Sequence, residues 1–338
     1  MQRPEPLLAA LFLAIAFVIL LAAVPCSKGG STTGPQSVFV ALLQYPDRHC
    51  SFTHDSAVSS VNTMCAFFGV SSYGSTSLTQ TVTRTFMMMP HSGTYYDGFD
   101  ARSRISADAR SVAQANGYGD IINNYDHVVY MFPYTDGVGS NGWSAGKEVW
   151  MRDNIDTRLL THEMGHQYGL YHAHRWVPCD LSNPLDSCGT TLALGDCYDI
   201  MGSGPEDFNP FEKNRLNWIP PNTVQHVTAT GVYRISRFDA PNANSFDCIA
   251  VTLNRPSDGR PYWIFYRYTP STARLGAIVE WVDEWSSTLV DFHPATITLS
   301  DVVIPVGATL TDQGVTTTPI GIGGVSPNFW IDVQIEFN

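Results

Sequence analysis

The sequence predicts a mixed α/β domain over residues 36–219, followed by an all-β, sandwich-like domain over residues 221–338. Three observations carry this. Strand-like and helix-like periods interleave as far as Trp218, Pro220-Pro221 then punctuates the chain, and beyond it short half-buried strands recur between turn-rich links. The 338 residues leave room for about two domains, and a hydrophobic content of 44% supports a substantial core. Net charge is −12 with only 19 Lys and Arg and no basic run, which argues against a nucleic-acid partner. The acidic balance serves solubility rather than a particular partner.

Residues 37–44 alternate Val38, Val40 and Leu42, the period of a first strand. Asp55 stands where an N-cap would open a helix through Val58, Val61, Met64 and Phe68, closing at Gly69. A strand is expected over residues 82–89. In residues 101–116, Ile105, Ala109, Val112 and Ala113 share one helix face, and Asn116-Gly117 stops the helix. Residues 126–133 read as a buried strand. A glycine-rich stretch, 136–146, leads to a short strand at 147–152, which suits either an edge that pairs with an extended peptide or an ordinary sheet strand. Asp156 is the expected N-cap of a helix over 159–168.

Strands are then expected at 232–238, 248–253, 262–268, 277–282, 296–300 and 329–337. In the last, Ile331, Val333, Ile335 and Phe337 alternate with Asp332, Gln334 and Glu336. Trp263, Phe265, Trp281 and Trp285 suit core packing, or a carbohydrate-binding face.

Arg3 precedes an apolar run from Leu7 to Val24, and small and polar residues follow. Residues 1–30 thus read as a secretory signal peptide plus a short linker. The run also reaches the roughly 18 residues of a minimal membrane span, so an uncleaved anchor stays open. Either way the bulk of the chain is expected outside the cytosol. Of seven cysteines, Cys26 sits at the signal boundary, leaving Cys50, Cys65, Cys179, Cys188, Cys197 and Cys248, an even number suited to an oxidising compartment. Proximity in sequence suggests the pairs Cys50–Cys65 and Cys179–Cys188. There is no N-x-S/T sequon.

The densest chemistry lies at His162-Glu163-Met164-Gly165-His166, followed by Gly169 and His172, an H-E-x-x-H-x-x-G-x-x-H pattern. On a helix, His162 and His166 stand one turn apart on one face and converge on a single cation. Gly169 accepts a left-handed backbone that ends the helix and returns the chain, bringing His172 up as a third nitrogen donor. Three histidines leave a tetrahedral zinc ion one open position, the mark of a catalytic rather than a structural site. Glu163, beside His162, is placed to hold and deprotonate water. Any single histidine here would be unremarkable; five residues at set spacings are not.

Downstream, Tyr198-Asp199-Ile200-Met201-Gly202 completes the pattern. A methionine turn after this zinc motif is the metzincin signature. Together with Tyr125-Asp126-His127-Val128-Val129-Tyr130, Gly142-Trp143, Ser71-Ser72-Tyr73-Gly74 and residues 209–218, the chain resembles the gametolysin family of metzincins over about residues 37–220. These are secreted peptidases of green algae that act on extracellular-matrix and cell-wall glycoproteins. The resemblance implies a metzincin-like zincin domain in which His162, His166 and His172 bind Zn2+, Glu163 is the general base and acid, and Met201 forms the floor. It implies a protein or glycoprotein substrate.

The sequence departs from this pattern in two ways. Ser203 stands where some metzincins carry a tyrosine two residues after the methionine, and Tyr198 is expected to pack instead. The short stretch between the apolar run and the first strand is too small for a latency propeptide, and neither Cys26 nor Cys50 is well placed as a cysteine switch. His49, His54, His91, His127, His174, His226 and His293 have no ligand spacing, and Asp199 is a candidate to hold the turn. From a different class, an extracellular wall-binding or adhesion protein with a structural zinc site remains the alternative. Glu163 speaks against it, since a structural site needs no base.

Overall fold

A computed structural model describes residues 31–142 and 146–338. The signal or anchor reading of residues 1–30, Cys26 included, lies outside the described residues. Among the described residues no helix is long and apolar enough to cross a membrane.

The first half is a sheet with helices on both faces. Its strands are β1 (Gly34–Gln44), β2 (Thr76–Val82), β3 (Met87–Met88), β4 (His127–Phe132), β5 (Asn141–Gly142) and β6 (Glu148–Arg152), in the order β2-β1-β4-β6-β5 with β3 beside β1. Pairing is parallel except for the last step, where β5 runs antiparallel to β6. Because β1 is central it is apolar on both faces, as parallel strands under two helical layers require. Val38, Val40 and Leu42 meet helix α1 (His54–Ser71) through Val61, Met64 and Phe68. Phe39, Ala41 and Leu43 meet helix α2 (Ala101–Ala115) through Ile105, Ala109 and Ala113. A one-turn helix, α3 (Ile121–Asn124), follows α2, and helix α4 (Thr157–Gln167) joins α1's layer through Leu160 and Met164.

Several expectations are corrected here. Thr53, not Asp55, caps α1, in a reciprocal capping box with Ser56, and the helix runs past Gly69 to Ser71. Of the strand expected over 82–89 only β3 forms within that range, because β2 has already ended at Val82. Thr83 explains it: its Oγ1 accepts from Leu42 N at 3.0 Å and its own N–H donates to Val40 O, so the chain peels off the ladder. Strand β6 is not an edge, because β5 covers its outer side. Cys50 and Cys65 are not bonded: the Cys50 thiol turns to Leu43 O at 3.4 Å, while Cys65 packs on the α1-side core. Cys179 and Cys188 do form a disulfide.

Two further sheets build the rest. Strands β7 (His174–Pro178) and β8 (Gly189–Leu192) precede helix α5 (Pro210–Arg215). Then come β9 (Val224–His226), β10 (Gly231–Ser236), β11 (Ala250–Asn254), β12 (Pro261–Phe265), β13 (Gly276–Val282), β14 (Ser287–Leu289), β15 (Ile304–Pro305), β16 (Leu310–Asp312), β17 (Val315–Val325) and β18 (Asn328–Phe337). One sheet runs β10-β18-β17-β16, and the other runs β8-β7-β14-β13-β12-β11-β9 with β15 beside β13. Ile235, Ile331, Val333 and Ile335 of the smaller sheet pack on Val251, Ile264, Val279 and Trp281 of the larger, a sandwich core.

The larger sheet also buries its other face. Trp263, Phe265, Ile278 and Leu289 pack with Tyr198, Ile219 and Phe238. It reaches back across residue 220, since β14 pairs in parallel with β7 through Thr288 opposite His174. No strand forms over 296–300. There Thr296 Oγ1 donates to Asp301 Oδ1 at 3.0 Å and Thr298 and Ser300 hydroxyls meet at 2.7 Å, local bonds that compete with a ladder, and Ile297 is fully exposed. Trp263, Phe265 and Trp281 are core residues; Trp285 is exposed.

Candidate active site

Helix α4 begins at Asp156, whose carboxylate accepts from Leu159 N at 2.8 Å. Its one-turn spacing sets His162 beside His166, with ring centroids 4.9 Å apart. The helix ends as Gly169 takes φ +92°, and Leu170 N donates to Gly165 O at 3.2 Å. That reversal carries the His172 ring to 5.2 Å from His162 and 4.9 Å from His166. One nitrogen of each ring then lies within 4.8 Å of the others.

Backbone carbonyls set which nitrogens face one another. His162 Nδ1 lies 2.8 Å from Ile200 O, and His166 Nδ1 lies 2.8 Å from Leu170 O. A carbonyl only accepts, so each Nδ1 carries hydrogen and each Nε2 keeps a free lone pair. Burial pushes His162 and His172 down to about 4 and lowers His166 too, so all three are neutral donors near pH 7. Zinc holds imidazole nitrogens at about 2.0–2.1 Å. Three neutral, convergent nitrogens, two of them oriented by backbone carbonyls, are a donor set that fits it.

Glu163 is buried, and its Oε2 accepts from Gly142 N in β5. The approach is so close that a Cβ at Gly142 would collide with the backbone carbonyl of Glu163. Burial pushes the Glu163 carboxyl up to about 7, opposed by the Gly142 N–H and the positive charge of Arg102. A cavity of about 250 Å³ opens above these groups, bounded also by Ser140, Asn141, Arg158, Leu159, Leu194 and Gly202. Among the described residues no cysteine lines it.

Met201 is fully buried beneath α4. A Cβ on Gly165 would come within 2.5 Å of Met201 Sδ, so the glycine inside the zinc motif is what lets the methionine pass under the helix. Asp199 holds the turn, as its candidacy suggested: Oδ1 accepts from Met201 N and Oδ2 from Asn209 N, each at 2.7 Å. Ala173 N donates to Met201 O at 3.0 Å, tying the turn to the His172 loop. Ser203 donates to Asp196 O at 3.2 Å, and Tyr198 packs in the core shared with the larger sheet.

Beneath the turn lies a set of charges that spacing gave no reason to expect. Asp196, Asp199, Glu212 and Glu280 are buried, and burial, then their mutual repulsion, raises Glu212 and Asp199 above the usual carboxylate range; Asp196 and Glu280 rise for the same first cause. Asp199 meets Glu212, and Asp196 meets Glu280, in side-chain hydrogen bonds that each need one shared proton. Arg267 lies among them, donating to Tyr198 O at 2.9 Å and Asp207 O at 2.6 Å. The available signal was Glu280 itself, a lone acid inside the apolar strand GAIVEWV.

The remaining histidines stay outside the cluster. His127 is buried against Tyr168 with Nε2 2.6 Å from Gln36 Oε1, and His174 is half-buried with its ring 6.4 Å from His172.

No known family matches the sequence, and no curated protein matches it. Two solved structures of OgpA from Akkermansia muciniphila are similar to this chain. The wild-type protein shares 9% identity at a TM-score of 0.34, covering 88% of this chain and 90% of that one. The catalytically inactive form, in complex with an O-glycopeptide (glycodrosocin) substrate, also shares 9% at 0.34, covering 86% and 89%. Likeness at this level is too low to carry an activity from one chain to the other.

Proposed function

We propose that this chain is a secreted zinc-dependent metalloendopeptidase that hydrolyses peptide bonds in extracellular-matrix or cell-wall proteins and glycoproteins, in keeping with its resemblance to the gametolysin family. The observation that carries the reading is the convergence of His162, His166 and His172 next to a buried Glu163 on an open cavity. Zinc, when bound, supplies a Lewis acid that polarises water and the scissile carbonyl. His162, His166 and His172 would hold it. Glu163, with a carboxyl near neutrality, takes a proton from the attacking water and returns it to the leaving amine. Gly142 N–H keeps that carboxylate aimed. Strand β5 is the outermost strand of its sheet among the described residues, so it offers backbone to an extended peptide. The Cys179–Cys188 disulfide suits an oxidising, extracellular setting.

The test is purified protein, zinc analysis and a generic peptide substrate with and without a chelator. Expected are one zinc per chain and chelator-sensitive cleavage. In Glu163→Gln, zinc is retained and kcat falls by at least about 10²–10⁴-fold, the span ascribed to a general base. Full zinc loading with no cleavage by the wild type would favour the wall-binding alternative, and an active Glu163→Gln would remove Glu163 from the chemistry.

A further inference from the structure

We propose that Arg158 makes this cleft select a carboxylate on the substrate beside the scissile bond. The proposal rests on the peptidase reading for its setting and names the substrate class of that same site.

Arg158 lies one helical turn before His162, so both leave the same face of α4. It lines the cavity with the three histidines and Glu163. Among the described residues its guanidinium donates once, through Nη1 to Gly202 O at 3.4 Å, which anchors it to the turn that follows Met201. Among the described residues no carboxylate pairs with it. In this acidic chain Arg48, Arg110, Arg175 and Arg234 each hold an aspartate or glutamate. Glu163 does not neutralise it either, because that carboxylate is turned to Gly142 N and responds to Arg102, while the charge of Arg158 is felt at His162.

The cavity therefore presents a fixed positive charge with spare donors, between the apolar walls of Leu159 and Leu194. Leu194 is held there in a left-handed conformation, φ +58°. A guanidinium matches a carboxylate in a paired fork, and a half-buried site screens the pair less than bulk water does. Two sources present that group next to a peptide bond: an Asp or Glu side chain, and an acidic sugar on a neighbouring glycosylated residue.

The experiment compares two matched peptide pairs on zinc-loaded full chain. One pair differs only in Glu against Gln beside the scissile bond. The other carries a threonine-linked glycan ending in sialic acid or in galactose. For each protein the readout is the ratio of kcat/KM within a pair. The same peptides are titrated calorimetrically against Glu163→Gln, which reads binding without turnover. Wild type is expected to favour the carboxylate member of one pair by about 10- to 100-fold, the worth of a hydrogen bond to a charged group. Which pair responds identifies the source. Arg158→Gln collapses that ratio toward one, Arg158→Lys keeps part of it, and Arg158→Glu turns the preference toward a Lys-containing peptide. A wild-type ratio near one in both pairs, or a ratio that Arg158→Gln leaves unchanged, overturns the proposal. If the wild type cleaves no peptide the peptidase reading fails by itself; the binding ratios then decide this proposal alone, and no binding of either carboxylate peptide overturns it.

Discussion

Arg267 is the residue through which the larger β-sheet should hold the catalytic turn in place, and replacing it with Met tests that directly. The side chain is 1% exposed and extends from just beyond β12 into the buried carboxyl set. It makes hydrogen bonds to Tyr198 O and Asp207 O, which bracket the Met201 turn. Methionine fills much of the volume but removes the charge and both donors. Two carbonyls and the Asp196 and Asp199 carboxyls then face an apolar side chain, the situation in which breaking one side of a buried ionic network costs about 3–5 kcal/mol. In a chain of this size that lowers Tm by on the order of 10 °C. The effect should not stop at stability, because Ile200 O, inside the same turn, orients His162. Loss of such support weakens metal binding by roughly 10–100-fold. Thermal unfolding with and without zinc, and a competitive zinc titration of the folded variant, measure the two effects. Unchanged Tm together with unchanged zinc affinity would mean that the turn is held without Arg267, and the reasoning would be wrong.

Other perturbations follow from the same geometry. Gly142→Ala forces β5 away from α4, since the new Cβ meets the Glu163 carbonyl, and it breaks the bond that aims Glu163. A lost bond to a charged group is worth about 1.5–3 kcal/mol. Activity should therefore drop about 10- to 100-fold with zinc content unchanged, and wild-type turnover in this variant would count against β5 as a support. A third expectation concerns pH. Asp196, Asp199, Glu212 and Glu280 have folded-state values raised by burial. The folded chain thus keeps protons that the unfolded chain releases above about pH 4. Their contribution is complete below that pH and is lost as pH rises through the raised values, at about 1.4 kcal/mol per pH unit for each proton retained. The buried histidines, whose folded-state values are lowered, add the opposite slope below about pH 6.5 to every variant. The carboxyl contribution is therefore read as a difference: between pH 5 and pH 8 the wild-type urea midpoint should fall relative to that of the double variant Glu212→Gln, Glu280→Gln, which replaces a shared proton with a fixed N–H. A wild-type midpoint that runs parallel to that of the double variant over that range would mean the carboxyls are ionised and balanced in some other way.

What the sequence made legible is what its local periods encode. The 3.6-residue repeat sets His162 over His166 whatever else the chain does, Asp156 caps from a position adjacent to its helix, and Gly169 reverses the chain by its own backbone freedom. The alternation in residues 331–337 likewise declared a half-buried strand before any partner was known. Errors arose where a side chain overrode the period. Thr83 interrupts the 82–89 run because its hydroxyl satisfies Leu42 N, and the threonine and serine hydroxyls of 296–300 bond to one another and to Asp301 instead of joining a ladder.

The support of the site was hidden for a different reason: its parts lie far apart in the chain and each looks ordinary alone. Thr288 pairs with His174, Arg267 reaches Tyr198, and Gly142 meets Glu163, and no local repeat relates the members of these pairs. The pairing of β14 with β7 is decisive, because β7 begins two residues after His172. The larger sheet thus grips the chain immediately beyond the third histidine, while Glu280 of β13 and Arg267 beyond β12 reach under Met201. A domain boundary at Pro220-Pro221, as the sequence reading has it, would predict that residues 36–219 keep the three histidines together unaided. This network predicts the opposite: a fragment ending at residue 219 keeps β8 beside β7 but loses β14 and Arg267 at once, and should bind zinc far more weakly than the full chain.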